Sequence, residues 1–196
     1  MKEKESISLL DSLLAWHAAP TLLGLKTASL LIFNSKNGDI STQIKQFNVY
    51  GQTRGLFIRV LYQNENRQWL YIYNKSMLLR DIRCADRALI LGKMGYSRWL
   101  SSEDMLERLS LRMAASQGFP HEIGLFLGYP VADVTGFIKN RGKHGLLNGC
   151  WIVYSDVIRA KRLFDCFHIA QEYLSRKIEQ GFSLAAVLKH VHDAYI

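Results

Sequence analysis

The stretch that decides the fold of this chain is LFIRVLYQNENRQWLYIY, residues 56–73. Both ends of the stretch are rich in β-branched and aromatic residues, and residues 63–68 between them are polar and rich in asparagine. This pattern predicts two antiparallel strands joined by a loop, because the apolar residue types favour pleated strands and asparagine favours turns. Residues 56–62 and 69–73 therefore form the clearest predicted hairpin.

Outward from the hairpin, short strands alternate with helices. Residues 29–33 and 150–154 are two further apolar runs with the composition of strands. Apolar residues at helical spacing, together with capping residues, predict helices at residues 7–16, 40–50, 76–82, 86–94, 101–118, 120–127, 130–140, 156–180 and 183–191. This order of elements predicts an α+β fold, in which several helices pack on a small mixed or antiparallel sheet of about four strands.

The composition sets the size and the class of the protein. A chain of 196 residues, 48% hydrophobic and 21% charged, fits a single globular domain over residues 1–196. It has no run of about 18 apolar residues, and its first residues mix both charges, so we expect a cytoplasmic protein without membrane insertion. The three cysteines, Cys84, Cys150 and Cys166, form no CxxC pair, so we expect reduced and mostly buried thiols without a zinc knuckle.

The net charge of +8, from 25 Lys and Arg against 17 Asp and Glu, favours anionic partners. The basic residues are scattered, and the densest group is Lys139, Arg141, Lys143 and His144 in a glycine-rich segment. This segment has the donors to hold a phosphate or a carboxylate, although a solvated, mobile loop is the favoured interpretation. It contains neither GxxxxGK[ST] nor GxGxxG, so the segment has no nucleotide-binding fingerprint.

Four segments carry a resemblance to a known family. They are HAAPTLLGLK (17–26), FPHEIGLFLGYP (119–130), DVTGFI (133–138) and GCWIVYSD (149–156). Through them the chain resembles an uncharacterised bacterial family, domain of unknown function 3793, over nearly its whole length. The resemblance implies a fold family and no reaction. Family members often have a cysteine where this chain has Ala18, and a Trp-Lys-Val-Tyr-Gly sequence at residues 151–155, so a thiol mechanism is not expected here.

Within the second segment, His121 and Glu122 are the candidate catalytic residues. They are predicted at the second and third positions of a helix that begins at Pro120. The positive end of the helix dipole would favour a neutral imidazole, which suits a base or a metal ligand, and it would stabilise the Glu122 carboxylate. The structural alternative is that His121 packs against the loop before it and Glu122 binds backbone donors.

His17 and Lys26 flank the end of the first predicted helix. If this region meets the second segment in space, His17, His121 and Glu122 form a set of two histidines and one carboxylate, which holds iron or another divalent metal in many proteins. The chain lacks HExxH-type ligand spacing, and a histidine at a helix C-terminus is also explained by the helix dipole alone.

Three functions follow as hypotheses. The first is a protein that binds a small anionic ligand, a metal or a cofactor such as haem near His17, Lys26 and His121, with Lys139, Arg141 and Lys143 as further ligand-binding residues. The second is an enzyme that uses His121 and Glu122 in acid–base catalysis on an unnamed substrate. The third is a charge-driven module that binds nucleic acid or protein, with the hairpin aromatics Phe57, Tyr71 and Tyr73 stacking on bases, although an RNP1 pattern is missing. The oligomeric state does not follow from the residues.

Overall fold

The computed structural model describes residues 8–97, 99–115 and 119–193. The chain divides into two compact units, which we call the sheet unit (Met1–Lys75 and Cys166–Ile196) and the helical unit (Ser76–Asp165). The single domain that the chain length suggests stays a prediction. The elements in chain order are α1 (Leu9–His17), α2 (Ala19–Leu22), β1 (Ala28–Asn34), α3 (Ser41–Gly51), β2 (Leu56–Gln63), β3 (Arg67–Asn74), α4 (Lys75–Arg83), α5 (Ala85–Lys93), α6 (Ser102–Ala115), α7 (Ile123–Phe126), α8 (Val131–Asn140), β4 (Leu147–Asn148), β5 (Ile152–Val153), α9 (Val157–Glu179) and α10 (Leu184–Asp193).

The predicted hairpin is the centre of the sheet unit. Strands β2 and β3 pair antiparallel, with Ile58 opposite Ile72, and β1 pairs antiparallel with the other edge of β3. The register shifts by one residue between Val60 and Tyr62, so Leu61 forms a bulge. The turn closes because the side-chain oxygen of Asn64 accepts the backbone N–H of Arg67 at 2.9 Å. The α+β class and an antiparallel sheet are therefore confirmed.

One face of the three-stranded sheet forms the core of the sheet unit. Leu70 and Ile72, on the central strand, are both fully buried. Apolar side chains from α1, α2, α3, α10 and the second half of α9 pack on this face. The period of two on the strands predicted which strand residues are buried in this core. Helical spacing of apolar residues predicted the buried faces of the helices.

The aromatic residues of β3 correct the base-stacking hypothesis. Tyr71 is fully buried and Tyr73 is 9% exposed. Their rings stack with centroids 5.2 Å apart, and the Phe57 ring lies 5.7 Å from that of Tyr73. Buried in this way, the rings of Tyr71 and Tyr73 offer no free face to a nucleic-acid base, whereas Phe57 is only partly buried.

The helical unit contains α4 to α8, the start of α9 and a second sheet. The start of α6 is capped as predicted, since the Ser101 hydroxyl accepts the Asp104 N–H at 3.1 Å while the Ser101 N–H donates to the Asp104 carboxylate at 3.3 Å. Its predicted end at Gly118 lies outside the described residues. Asp156 caps α9 by accepting the N–H of Arg159 at 2.9 Å.

The last predicted strand, residues 150–154, is shorter than expected. Only Ile152–Val153 forms a strand, and it pairs with Leu147–Asn148, in a segment that was predicted as a loop. The loop before β4 approaches β5 closely at Gly145, where an added Cβ would lie 2.2 Å from Cγ2 of Ile152. Two-residue strands are too short to show a period of two, so the sequence carries no signal for this pairing.

The expectation of mostly buried thiols is also wrong. Cys84, Cys150 and Cys166 are free and exposed. Cys84 precedes α5, Cys150 precedes β5, and Cys166 lies on α9 beside the buried Phe167. Exposure depends on which side of each element faces the core, and a lone cysteine does not reveal this.

Candidate functional site

The segment 119–130 begins with a turn, and its helix starts later than predicted. The N–H of Ile123 donates to the carbonyl oxygen of Pro120 at 3.0 Å, and α7 covers only Ile123–Phe126. His121 therefore precedes the helix and Glu122 is its N-cap residue, so the predicted second and third helical positions are wrong. A four-residue helix also has too few aligned peptide units for a strong dipole. Gly128, with φ +81°, terminates the helix just after its C-cap Leu127, as its position predicted.

Arg87 of α5 fixes the far end of this segment. Its guanidinium donates to the carbonyl oxygen of Leu125, and to that of Tyr129 at 3.2 Å. Leu125 lies in the single turn of α7, where its carbonyl oxygen also accepts the N–H of Gly128 at 3.2 Å, and Tyr129 follows the helix. The buried cation thus adds a charged donor to carbonyl groups at the C-terminal end of α7, which the helix dipole favours. Arg87 is only 8% exposed. The backbone at the far end of the segment is thus held by α5.

Glu122 lies at the centre of a buried polar cluster. Its carboxylate is 1% exposed, and one oxygen, Oε1, accepts Nε–H of Arg112 and, at 3.2 Å, the hydroxyl of Tyr96. The ion pair raises the pKa of Arg112, and burial beside Glu122 raises the pKa of Tyr96. Both groups therefore keep their protons at neutral pH. The structural alternative for Glu122 assumed backbone donors, whereas the donors observed are the side chains of Arg112 and Tyr96.

Arg112 is the site residue that the sequence interpretation missed. It is located on α6 seven residues after Met105 and three after Leu109, so it interrupts the buried stripe of that helix. A charged residue at such a position is a usable signal, because it needs a buried partner. The partner itself, ten residues further along, was not predictable from spacing.

A pocket of about 630 Å³ opens beside this cluster. The described residues that line it are Met94, Arg112, Ala115, Phe119, Pro120, His121 and Glu122. Arg112 contributes a side chain that is 42% exposed. His121 is exposed, and its ring packs edge-to-face with that of Phe137, with the two ring centroids 5.7 Å apart. The pocket thus combines a guanidinium and an imidazole with an apolar wall.

Asp133 joins the two later family-like segments. It is 2% exposed, and its carboxylate accepts Nε1–H of Trp151 at 2.7 Å, the N–H of Tyr154 at 2.8 Å and the hydroxyl of Ser155 at 2.7 Å. A carboxylate that accepts three protein donors serves to order the backbone around it. The role of Asp133 is therefore to hold residues 151–155 against α8.

Tyr129 packs against Trp151, one of the residues that Asp133 binds. Its ring stacks on that of Trp151, with the ring centroids 5.0 Å apart. Its hydroxyl donates to the carbonyl oxygen of Cys150 at 3.2 Å. Burial raises the pKa of Tyr129 to about 12. The aromatic residues of these segments are thus accounted for by packing.

The remaining predicted residues are not among the described residues that line the pocket. Lys139, Arg141 and Lys143 are exposed at the end of α8, where Arg141 has φ +52° and the carbonyl oxygen of Lys143 accepts the Tyr154 hydroxyl at 3.0 Å. His17 is exposed in the last turn of α1, and the N–H of Lys26 donates to the carbonyl oxygen of Pro20 at 3.1 Å.

His17 and Lys26 belong to the sheet unit, and the other predicted site residues belong to the helical unit. The structure brings together His121 and Glu122, with Arg112. Within residues 8–97, 99–115 and 119–193, no three His, Cys, Asp or Glu residues come together in a group able to hold a metal ion. The metal set of His17, His121 and Glu122 stays a prediction.

The fold and the site together describe a helix-rich α+β protein that has a buried ion pair beside a pocket. In the described part of the chain, no helix has both the length and the apolar character needed to cross a membrane. The chain belongs to the family described as Protein of unknown function (DUF3793), which matches residues 14–188. The resemblance seen in the sequence is thereby confirmed. No curated protein and no solved structure matches the chain.

Proposed function

We propose that the protein binds a small organic anion, a carboxylate or a phosphate ester with an apolar body, in the pocket beside Arg112 and His121. The observation that carries the proposal is the state of Arg112. Its Nε–H is bound to the buried Glu122, while its two terminal amino groups have no hydrogen-bond partner among the described residues. A guanidinium fixed on one edge presents its other N–H groups in a rigid fork, which matches carboxylate and phosphate oxygens.

The rest of the pocket fits the same ligand. The exposed His121 adds a second donor, and Met94 and Phe119 form an apolar wall for the body of the ligand. A volume of about 630 Å³ lies within the ordinary range for small-molecule sites. Because Glu122 formally neutralises Arg112, directed hydrogen bonds and apolar contact must supply most of the affinity. For a ligand of about ten heavy atoms we expect a Kd of roughly 1 mM.

The cytoplasmic setting belongs to the proposal as well. All three cysteines are free, which suits a reducing compartment. The participation of His17, Lys26, Lys139, Arg141 and Lys143 in ligand binding, and an acid–base role for His121 and Glu122, stay predictions.

The test is a titration of the whole chain followed by ¹H–¹⁵N NMR, with four probes: benzoate, phenyl phosphate, acetate and inorganic phosphate. Benzoate or phenyl phosphate should shift the Nε–H signal of Arg112, and the probes without a ring should bind at least tenfold more weakly. The comparison of benzoate with phenyl phosphate distinguishes the two head groups. Absence of a shift at Arg112 with all four probes would overturn the proposal.

Variants separate the head-group contact from the fold. Arg112→Lys keeps the charge but removes the fork, and should weaken binding about tenfold. Removing the Arg112 cation alone would leave a buried carboxylate unpaired, at a cost of about 3 kcal/mol in stability. The second variant is therefore the neutral pair Arg112→Gln with Glu122→Gln, which should also fail to bind.

The matched control is Arg80→Gln, an exposed arginine of the same unit that pairs with Asp81, and it should bind as the wild type does. His121→Ala, at an exposed position, should weaken binding by about three- to tenfold. Unchanged affinity in both Arg112→Lys and His121→Ala would place the ligand elsewhere.

A further inference from the structure

A second surface of the helical unit has a different character from the pocket. We call it the α4–α6 groove: the end of α4, one side of α5, residues 96–97 and 99–101, and the start of α6 line about 1300 Å³. Its apolar lining includes Ile82, Leu89, Leu91, Trp99, Leu100 and Met105. Small-molecule sites rarely exceed about 1000 Å³, so the size of the groove favours a larger occupant.

The groove exposes large apolar side chains to solvent. Trp99 is 81% exposed and Leu89 is 62% exposed, while Leu91 and Met105 form a buried floor. Exposed apolar side chains scattered singly are common, but a group of them around one groove marks an interaction surface. Tryptophan is also the residue type that most often dominates the binding energy of such surfaces. Trp99 is thus the natural anchor for a partner.

The charges of the groove restrict the partner further. Arg83 and Lys93 line it, both are exposed, and neither forms a salt bridge with another described residue. No Asp or Glu is among the described residues that line the groove. Complementary charge on the partner would therefore be negative.

From these observations we infer that the α4–α6 groove binds an amphipathic helix of a partner protein, with leucine-type side chains on one face and acidic residues beside them. Three helices form its walls, and an apolar groove between helices suits a helix whose apolar residues recur at i, i+3 or i+4, and i+7. The nine residues of α5 span about 13 Å, so about two to three turns of the partner helix can lie along it.

The experiment uses the full chain and two labelled peptides of about 14 residues, each with leucines on one helical face. One carries glutamates beside the leucines, and the other carries lysines at the same positions. Fluorescence anisotropy should show the acidic peptide binding at least tenfold more tightly than the basic one. Equal affinity for the two peptides, or no binding of either, would overturn the inference.

Two sets of variants test where the peptide binds. Trp99→Ala should weaken binding of the acidic peptide at least tenfold, because tryptophan anchors commonly supply more than about 1.4 kcal/mol. Arg83→Glu with Lys93→Glu should reverse the preference between the two peptides. Leu111→Ala, a 64% exposed apolar residue outside the groove lining, is the matched control and should leave binding unchanged.

The alternative occupant of the α4–α6 groove is a second copy of this chain. Sedimentation of the peptide-free chain should show no dimer that depends on Trp99. A dimer that Trp99→Ala dissolves would assign the groove to a second copy of this chain and overturn the inference. None of the variants alters Tyr96, which lines the groove and holds Glu122, so the result does not depend on the anion pocket.

Discussion

Gly136 lies in the middle of α8, where an alanine would ordinarily stabilise the helix by about 0.5–1 kcal/mol. In this protein an added Cβ would lie 2.5 Å from Cβ and 2.6 Å from Cγ of Tyr154. Tyr154 is held in place, because its N–H donates to Asp133 and its hydroxyl donates to the carbonyl oxygen of Lys143. We therefore expect Gly136→Ala to lower the free energy of unfolding by about 2 kcal/mol, an overpacking cost of about 3 kcal/mol less the helix gain.

Gly92→Ala is the matched control. Gly92 is also helical and lies in the same unit, but no heavy atom lies within 4 Å of the added Cβ. It should stabilise the protein by about 0.5 kcal/mol, so the two identical substitutions should have opposite signs. Urea unfolding followed by far-UV circular dichroism measures both on the same helical signal. Equal changes in stability at the two positions would refute the close contact between α8 and Tyr154.

Two further predictions concern the same region. Asp133→Asn should lower the free energy of unfolding by about 2 kcal/mol, because an amide cannot accept from both Trp151 and Tyr154. In urea unfolding, Trp151→Phe should lower the free energy of unfolding less in the Asp133→Asn variant than in the wild type. Strictly additive effects of the two substitutions would contradict the hydrogen bond between Asp133 and Trp151. Because burial raises the Tyr129 pKa from 10 to about 12, its stabilising contribution is complete below pH 10 and is lost as the pH rises through about 12. Between pH 8 and pH 11 the wild type should lose about 1.4 kcal/mol more than Tyr129→Phe, and equal losses would contradict the shift.

Helix boundaries were predictable where local chemistry marks them. Ser101 and Asp156 cap their helices with hydrogen bonds that span only three residues. Pro120 misled the prediction, because proline suits both the first turn of a helix and a simple turn. The choice between them was decided by the Glu122 carboxylate, which is buried against Arg112 and Tyr96 and holds the residue before the helix in place.

The candidate site was predictable in part. His121 and Glu122, the two candidates from the sequence, both line a pocket, and their roles there stay predictions. Their predicted positions within a helix were wrong, since Glu122 is the N-cap of α7 and His121 precedes it. Arg112 was missed, although its place on the buried stripe of α6 was visible. Glu122 was predicted either to act in chemistry or to bind backbone donors, and its pairing with Arg112 became visible only when the two segments were seen in contact.

The sequence by itself determined the types of the main elements and the α+β class. Periods of two and of 3.6 residues, together with caps and turns, arise from interactions within a few residues, and these can be read directly along the chain. Only the tertiary structure decided that Glu122 binds Arg112, that Leu147–Asn148 pairs with Ile152–Val153, and that all three cysteines are exposed. Each of these depends on which surfaces meet when segments pack, and no local pattern encodes that choice.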